Sequence, residues 1–468
     1  MVFTLLSTNS YRSHINTTNE QMRTSSSLLN YALKTNRKFG VLFTAGPLST
    51  SRTVRRTVSY RSHINTTMRT SSSLLNYALK TNRKFGVLFT AGPLSTSRTV
   101  REAQLEDYGS RDSTFVNAIK EVREGVLRVA EADSAAWTTI PMQGSGTMGI
   151  EAVINSVIKP AAKQQKLGGE KDKFLVIRNG AYSARMSSIV EKHGAAQLIP
   201  FDVNEGEDVD LVRLQATLQS IKGITNVGVV HCETSTGMFN PIHGVASLVR
   251  RYHPTAKIFV DAMSSFGGVE FKAPDVCDVL VTSANKCIQG VPGFSLVVAK
   301  RSLLEECRGW SPSYTLDIVS QNDGLDKSGQ FGNTPPVQAI MAFHQALLEH
   351  SAEGGVAVRA ARYRANNDFI ANAMTELGFR LFLDRSKASF GHIITAYHAP
   401  SKADHKNWDF MTFYNELKKG GFVIYPGKAS AADTFRIGSL GDIHPADCEA
   451  LMEEVRIVLK RMDVNLKM

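Results

Sequence analysis

Short apolar runs that stop abruptly at a polar residue recur through the middle of this chain. Residues 174–177, 196–200, 227–230, 258–260, 279–281 and 294–298 are too short for helices and rich in Val, Ile and Phe. They predict strands buried on both faces, as in a parallel sheet. Between most of them the apolar positions return at helical spacing, as over 209–221 and 241–252. Upstream, Phe115, Ile119, Val122, Val126 and Val129 line one face of a helix predicted over 115–131, and 148–158 reads as another. Residues 85–90 read as a short strand or extended segment leading into Ala91-Gly92-Pro93. This βα alternation predicts a mainly parallel sheet covered by helices, an α/β fold. The order then changes. A long amphipathic helix over 337–350 leads to a helix near 357–377, strands near 379–382 and 391–397, a helix near 410–419, and strands near 422–425 and 434–438. That order predicts a small α+β C-terminal domain. The expected division is an N-terminal extension over 1–83, a large domain over 84–336, and a linking helix with the small domain over 337–468.

The N-terminal part contains a near-verbatim repeat. Residues 10–18 recur as 59–67, and 22–55 recur without a change as 68–101; the first copy merely adds Asn19, Glu20 and Gln21. Solenoid repeats diverge and come in at least three, so two identical copies point to a recent duplication or an error in gene assembly. Residues 1–58 are expected to be an appendage. Their Ser/Thr/Asn/Arg-rich, almost acid-free composition is that of an organellar transit peptide and equally that of a disordered tail. This segment also explains the net charge of +11. Residues 1–101 carry fifteen Lys and Arg against one acid, Glu20, and the remaining 367 residues are close to neutral at −3. The globular part therefore has no nucleic-acid footprint. Five cysteines without a Cys-x-x-Cys pair suit reduced thiols in an intracellular protein, cytoplasmic or mitochondrial, with no metal expected. No apolar run approaches the length of a membrane span.

Candidate chemistry gathers at the strand ends. Asp261 closes one apolar run, and Lys286 follows the next, just before Gly290-Val-Pro-Gly293. A carboxylate and an amine on adjacent strand ends are what pyridoxal phosphate requires: a lysine for the Schiff base and an acid against the pyridinium nitrogen. Gly144-Ser145-Gly146-Thr147 opens a predicted helix, where backbone N–H groups and hydroxyls form a phosphate seat or a simple cap. Tyr182, after the 174–177 run, either stacks on the cofactor ring or caps the sheet. Thr234 and Ser235 follow the 227–230 run and either donate to the cofactor phenolate or form a turn. Arg436, alone in an apolar run, needs an anion: a substrate carboxylate or an internal salt bridge. Cys287, beside Lys286, reads as a packing residue more readily than as a reactive thiol.

From about residue 84 onward the chain resembles the class V aminotransferases of fold type I. The resemblance rests on FTAGPLSTS around Gly92, SRDSTF at 110–115, GSGTMGIEA at 144–152, RNGAYSARM at 178–186, CETSTGMFNPI at 232–242, VDAMSSFGG at 260–268, SANKCIQGVPG at 283–293 and FRIGSLG at 435–441. Ala91 stands where the family usually has Pro, and the N-terminal repeat has no counterpart there. The resemblance implies pyridoxal 5'-phosphate on Lys286 with Asp261 at the pyridinium. It places Ser145, Gly146 and Thr147 at the phosphate, Tyr182 on the ring, and Thr234 or Ser235 on the phenolate side. Ser283 joins the cofactor residues, and Arg436 takes the substrate acid group. Thr334 matches a family position that reaches the phosphate across a dimer interface, so a homodimer with shared active sites is implied. The implied reaction moves the amino group of 2-aminoethylphosphonate to pyruvate. A serine or alanine–glyoxylate aminotransferase is the alternative, and a non-catalytic relative that only binds a partner is a remote one.

Overall fold

Seven strands form the central sheet, in the order Trp137–Gln143, Phe294–Lys300, Val279–Ser283, Lys257–Asp261, Ile224–Val230, Asp172–Arg178 and Ala196–Asp202. The computed structural model describes residues 86–166, 171–427 and 432–466. The extension over 1–83, with its first repeat copy, lies outside them. Six strands share one direction, and Phe294–Lys300 runs antiparallel to both of its neighbours. The expected α/β architecture is therefore present. The apolar runs are buried on both faces: Phe174, Leu175, Val176 and Ile177 are each fully covered. Each such side chain contributes roughly 1.5–3 kcal/mol through removal from water.

One edge strand was not expected. Trp137–Gln143 contains Pro141 and two threonines, and so reads as neither an alternating nor a continuous apolar run. Pro cannot donate to a ladder on both sides, so it is confined to sheet edges. Trp137–Gln143 pairs on one side only, with Phe294–Lys300, and Thr138 and Thr139 are buried there.

A second core lies in the C-terminal part. Ile394–His398 and Tyr425–Pro426 flank Thr434–Gly438 in an antiparallel sheet. Helices Gly355–Glu376, Phe410–Lys419 and Pro445–Arg461 supply the rest of that core. Phe435 is central to it, with Phe379, Tyr397, Phe410 and Phe413 rings at 5.4–5.9 Å. The strand expected over 379–382 is reduced to a single bridge between Leu381 and Tyr397. Sequence order places residues 85–90 with the large domain, but Val87–Leu88 pairs in parallel with Phe422–Val423, and Val87 and Phe89 are buried in the C-terminal core. The linking helix spans Val337–Glu353 and packs on the large core, where Phe343 meets Phe294 edge-on at 5.4 Å. It ends at Gly354, whose φ of +112° favours glycine.

Candidate active site

A parallel sheet gathers the carboxyl ends of its strands along one edge, and side chains just beyond those ends converge. Here they enclose a cavity of about 460 Å³. Ser145, Gly146, Thr147, Tyr182, Thr234, Asp261, Ser283 and Lys286 all line it. Eight of the eleven candidate residues thus come together in one space, and Ser235, Thr334 and Arg436 lie outside its lining.

Asp261 is the last residue of its strand and only 2% exposed. Its Oδ1 accepts one hydrogen bond, from Met263 N at 2.9 Å. No ion pair satisfies it among the described residues. Burial pushes its carboxyl up from 3.8 to about 7; the Met263 bond opposes the shift, Glu233 adds to it, and Lys286 and Arg185 oppose it. A carboxylate in this state favours a partner bearing a proton or a positive charge.

Lys286 sits three residues beyond the end of the next strand. Its Nζ donates to Ala91 O at 2.6 Å. Burial pushes the amine down from 10.5 to about 8, with Asp261 opposing and Arg436 reinforcing the shift. The amine is thus brought close to neutrality near physiological pH, as a base or nucleophile requires. Gly92 makes the approach possible: its φ is +114°, and a Cβ there would lie 2.6 Å from Asn285 O and 2.9 Å from Lys286 Cδ.

Ser145 caps the helix Gly146–Val157, accepting from Met148 N at 3.4 Å. The first turn of that helix presents unpaired N–H groups and the positive end of its dipole to the cavity. Gly146 leaves room that a side chain would fill, since a Cβ would come within 2.4 Å of Met263 Sδ. Thr147 Oγ1 accepts from Arg185 Nη1 at 2.8 Å, and the Arg185 guanidinium lies over the Tyr182 ring at 4.9 Å. Arg185 lines the cavity too, and no carboxylate pairs with it among the described residues.

Thr234 and Ser235 separate. The Thr234 hydroxyl lies 2.8 Å from Ser264 Oγ at the cavity wall. Ser235 points away, donating to Glu233 Oε1 at 2.7 Å and accepting from Ala181 N. Glu233 was not anticipated. It is fully buried and accepts from Tyr182 N and Ser183 N, so it closes the N-terminus of the helix Ala181–His193 that carries Tyr182 and Arg185. Its signal is a lone acid just past a buried apolar run, where the helix dipole can hold it.

Arg436 is 5% exposed in the strand Thr434–Gly438. Nη1 donates to Thr234 O at 2.9 Å, while Nε and Nη2 donate to Pro426 O at 3.2 and 3.1 Å. The Tyr425 ring lies 5.6 Å from its guanidinium carbon. No internal salt bridge neutralises it among the described residues. Arg436 therefore stands behind Thr234 with its charge uncompensated. Thr334 is exposed, away from this cavity. Cys287 is fully buried, donates to Ser264 O, and burial pushes its thiol up to about 12, which suits a packing residue.

These residues fit pyridoxal phosphate. The unpaired buried acid matches a protonated ring nitrogen, the helix N-terminus with its hydroxyls matches a phosphate, and the amine lies in the same cavity. Comparison with known proteins agrees. The class V aminotransferase profile matches residues 100–413. A 2-aminoethylphosphonate–pyruvate transaminase of Phocaeicola vulgatus is 42% identical over 362 residues, covering 76% of this chain and 94% of that protein. One of Bacillus cereus is also 42% identical, covering 76% and 92%. Among solved structures, pyridoxamine–pyruvate aminotransferase from Mesorhizobium loti superposes with a TM-score of 0.72 at 22% identity, covering 82% of this chain and 94% of that one. Ureidoglycine–glyoxylate aminotransferase from Bacillus subtilis gives 0.71 at 21%, covering 82% and 95%. These two share the fold. The family profile and the identity to curated transaminases together establish that this chain belongs to the class V aminotransferases, pyridoxal-phosphate-dependent enzymes of fold type I.

Proposed function

We propose that this chain transfers the amino group of 2-aminoethylphosphonate to pyruvate, giving phosphonoacetaldehyde and L-alanine. The observation that carries the reading is that a buried Asp261, without an ion pair among the described residues, shares one cavity with the Lys286 amine, within a chain 42% identical to transaminases of that name. Bound pyridoxal phosphate supplies an aldehyde carbon for the amine and an electron-accepting ring. Lys286 Nζ would hold the cofactor, and its free amine would be the base for the proton on the donor's amino-bearing carbon. Asp261 keeps a proton on the ring nitrogen. Ser145, Gly146 and Thr147 hold the phosphate, with Arg185 fixing Thr147. Tyr182, Thr234 and Ser283 line the same cavity and would help hold the cofactor. Arg436 receives the acid group of each substrate in turn, a carboxylate from pyruvate and a phosphonate from the donor. Arg185 is the second cation available to the phosphonate, whereas Arg111 is exposed outside the cavity.

The proposal includes a homodimer. Thr334 is exposed on one chain, which leaves it available to a partner's cavity. It also includes an intracellular location: all five cysteines are free and buried, as in a reducing compartment. Among the described residues no helix is long and apolar enough to cross a membrane.

The test is an assay of the purified protein for alanine and phosphonoacetaldehyde from 2-aminoethylphosphonate and pyruvate. Serine and alanine with glyoxylate are run alongside. Turnover confined to the glyoxylate pairs would replace this reading with the alternative aminotransferase.

A further inference from the structure

The turn that presents Lys286 is gripped from behind by the C-terminal part of the chain. Cys287 O accepts two hydrogen bonds, from Arg359 Nη1 at 2.8 Å and from Tyr363 Oη at 3.0 Å. Both donors lie on the helix Gly355–Glu376 and are almost fully buried, Arg359 at 2% exposure and Tyr363 at 0%. Gln289 closes the turn, donating from its backbone N to Lys286 O at 2.7 Å and from Nε2 to Tyr363 Oη at 2.8 Å. Gln289 has φ +69°, a left-handed conformation that is unfavourable for a non-glycine residue. Strain of this kind persists only where surrounding bonds over-determine the backbone. Tyr363 and Arg359 supply those bonds.

Glu353 connects this grip to the strand of Arg436. One oxygen accepts from Arg359 Nε at 2.5 Å and the other from Arg362 Nε at 2.6 Å. Arg362 Nη1 in turn donates to Gly441 O and Ile443 O, each at 2.9 Å, in the loop that follows the Arg436 strand. Burial pushes the Glu353 carboxyl up, but the Arg362 bond and the two guanidinium charges hold it below its ordinary value. A single carboxylate thus braces both the cofactor lysine and the loop beyond the substrate arginine.

We infer that Arg359 and Tyr363 are positioning residues for Lys286, and that Glu353 couples their hold to the backbone behind Arg436. The inference rests on the proposed function only in taking Lys286 as the cofactor lysine and Arg436 as the substrate arginine. Neither donor touches the cavity, and they act through the Cys287 carbonyl. Releasing it lets the turn relax away from the left-handed Gln289, which swings Lys286 Nζ off the line of proton transfer. A misplacement of about 1 Å costs up to roughly 100-fold in rate.

The test uses the holoenzyme and three variants, Tyr363→Phe, Arg359→Gln and Glu353→Gln. Borohydride reduction and peptide mapping of the unaltered holoenzyme come first. A label on a lysine other than Lys286 overturns the functional reading and this inference with it. With the label on Lys286, three quantities are read: kcat and KM for pyruvate, the pH midpoint of the absorbance of the lysine-bound cofactor, and the melting temperature. For Tyr363→Phe and Arg359→Gln, kcat should fall about 10- to 100-fold with KM within about twofold, and the midpoint should move by about half a pH unit or more. Glu353→Gln should lower kcat and also raise KM, since it slackens both arms. Melting that falls while kcat and the midpoint stay put would overturn the inference in favour of a purely structural role. Tyr363→Phe loses one hydroxyl only and decides the matter should Arg359→Gln fail to fold.

Discussion

The seven-stranded sheet lines the cavity, whereas the C-terminal part braces its walls from behind, and the two contribute different kinds of group. From the sheet edge come Asp261, Ser283, Thr234 and Lys286, side chains whose titration or hydroxyl is turned to the open space. From the C-terminal part come the guanidinium groups of Arg436, Arg359 and Arg362, and they are anchored on main-chain carbonyls of Thr234, Pro426, Cys287, Gly441 and Ile443. A carbonyl has no side chain to move and cannot titrate, so a guanidinium held on it is fixed in place with its charge intact. The sheet supplies reactivity; the C-terminal part supplies rigidity through Arg359 and Arg362, which Glu353 neutralises, and a fixed uncompensated charge in Arg436. Arg185 breaks the division: it belongs to the sheet side yet is a cation held on a hydroxyl.

Removing the reactive amine is the harshest test of that division. Lys286→Ala should lower turnover by more than about 10⁴-fold while melting within a few degrees of the unaltered protein. Assay and calorimetry on one preparation check it, and turnover that survives would move the chemistry elsewhere. A change on the C-terminal side should be smaller and should touch binding of the acid. Arg436→Lys keeps the charge but loses the fork, which should lower kcat/KM about 30- to 1000-fold. Stopped-flow absorbance follows each half-reaction separately. Slowing in the pyruvate half alone would hand the phosphonate to Arg185.

The smallest effect concerns stability without cofactor. The Asp261 carboxyl lies at about 7 in the folded chain against an ordinary 3.8. Between those values the folded chain keeps a proton that the unfolded chain has released. Stability of the apoprotein should therefore fall as pH rises from about 4 to 7, by at most about 4 kcal/mol. Denaturation across that range should show the slope, Asp261→Asn should flatten it, and added pyridoxal phosphate should reduce it. A slope unchanged by Asp261→Asn would place its source in another group.

What was legible in the sequence follows the same division. Asp261 and Lys286 stand out because each breaks an apolar run, and a parallel sheet puts such breaks at one edge. The strand of Arg436 was legible for a related reason, one cation among buried neighbours. Glu353, Arg359 and Arg362 were not, because charged residues three and six apart within and beside a helix read as a solvated face. Only tertiary packing shows that Arg359 is buried. Ser235 and Thr234 are adjacent hydroxyls, and nothing in their order tells which one turns toward Glu233. The pairing of Val87–Leu88 with Phe422–Val423 joins residues more than three hundred positions apart, which local pattern cannot reveal.

That pairing has a mechanical side. Between residues 87 and 100 the backbone runs from the C-terminal core to the large core, past a small apolar cluster between them in sequence order. Val87 and Phe89 lie in the C-terminal core, Leu94 sits with Cys287 and Tyr363, and Val100 is embedded in the large core. This stretch is a tether of fixed contour length, pinned at both ends, and Ala91 lies along its span. The carbonyl that accepts the Lys286 hydrogen bond is therefore mounted on a strap that feels the spacing of the two cores. Any change in that spacing must redraw the path of the strap, and so alter the hydrogen bond that holds the resting amine.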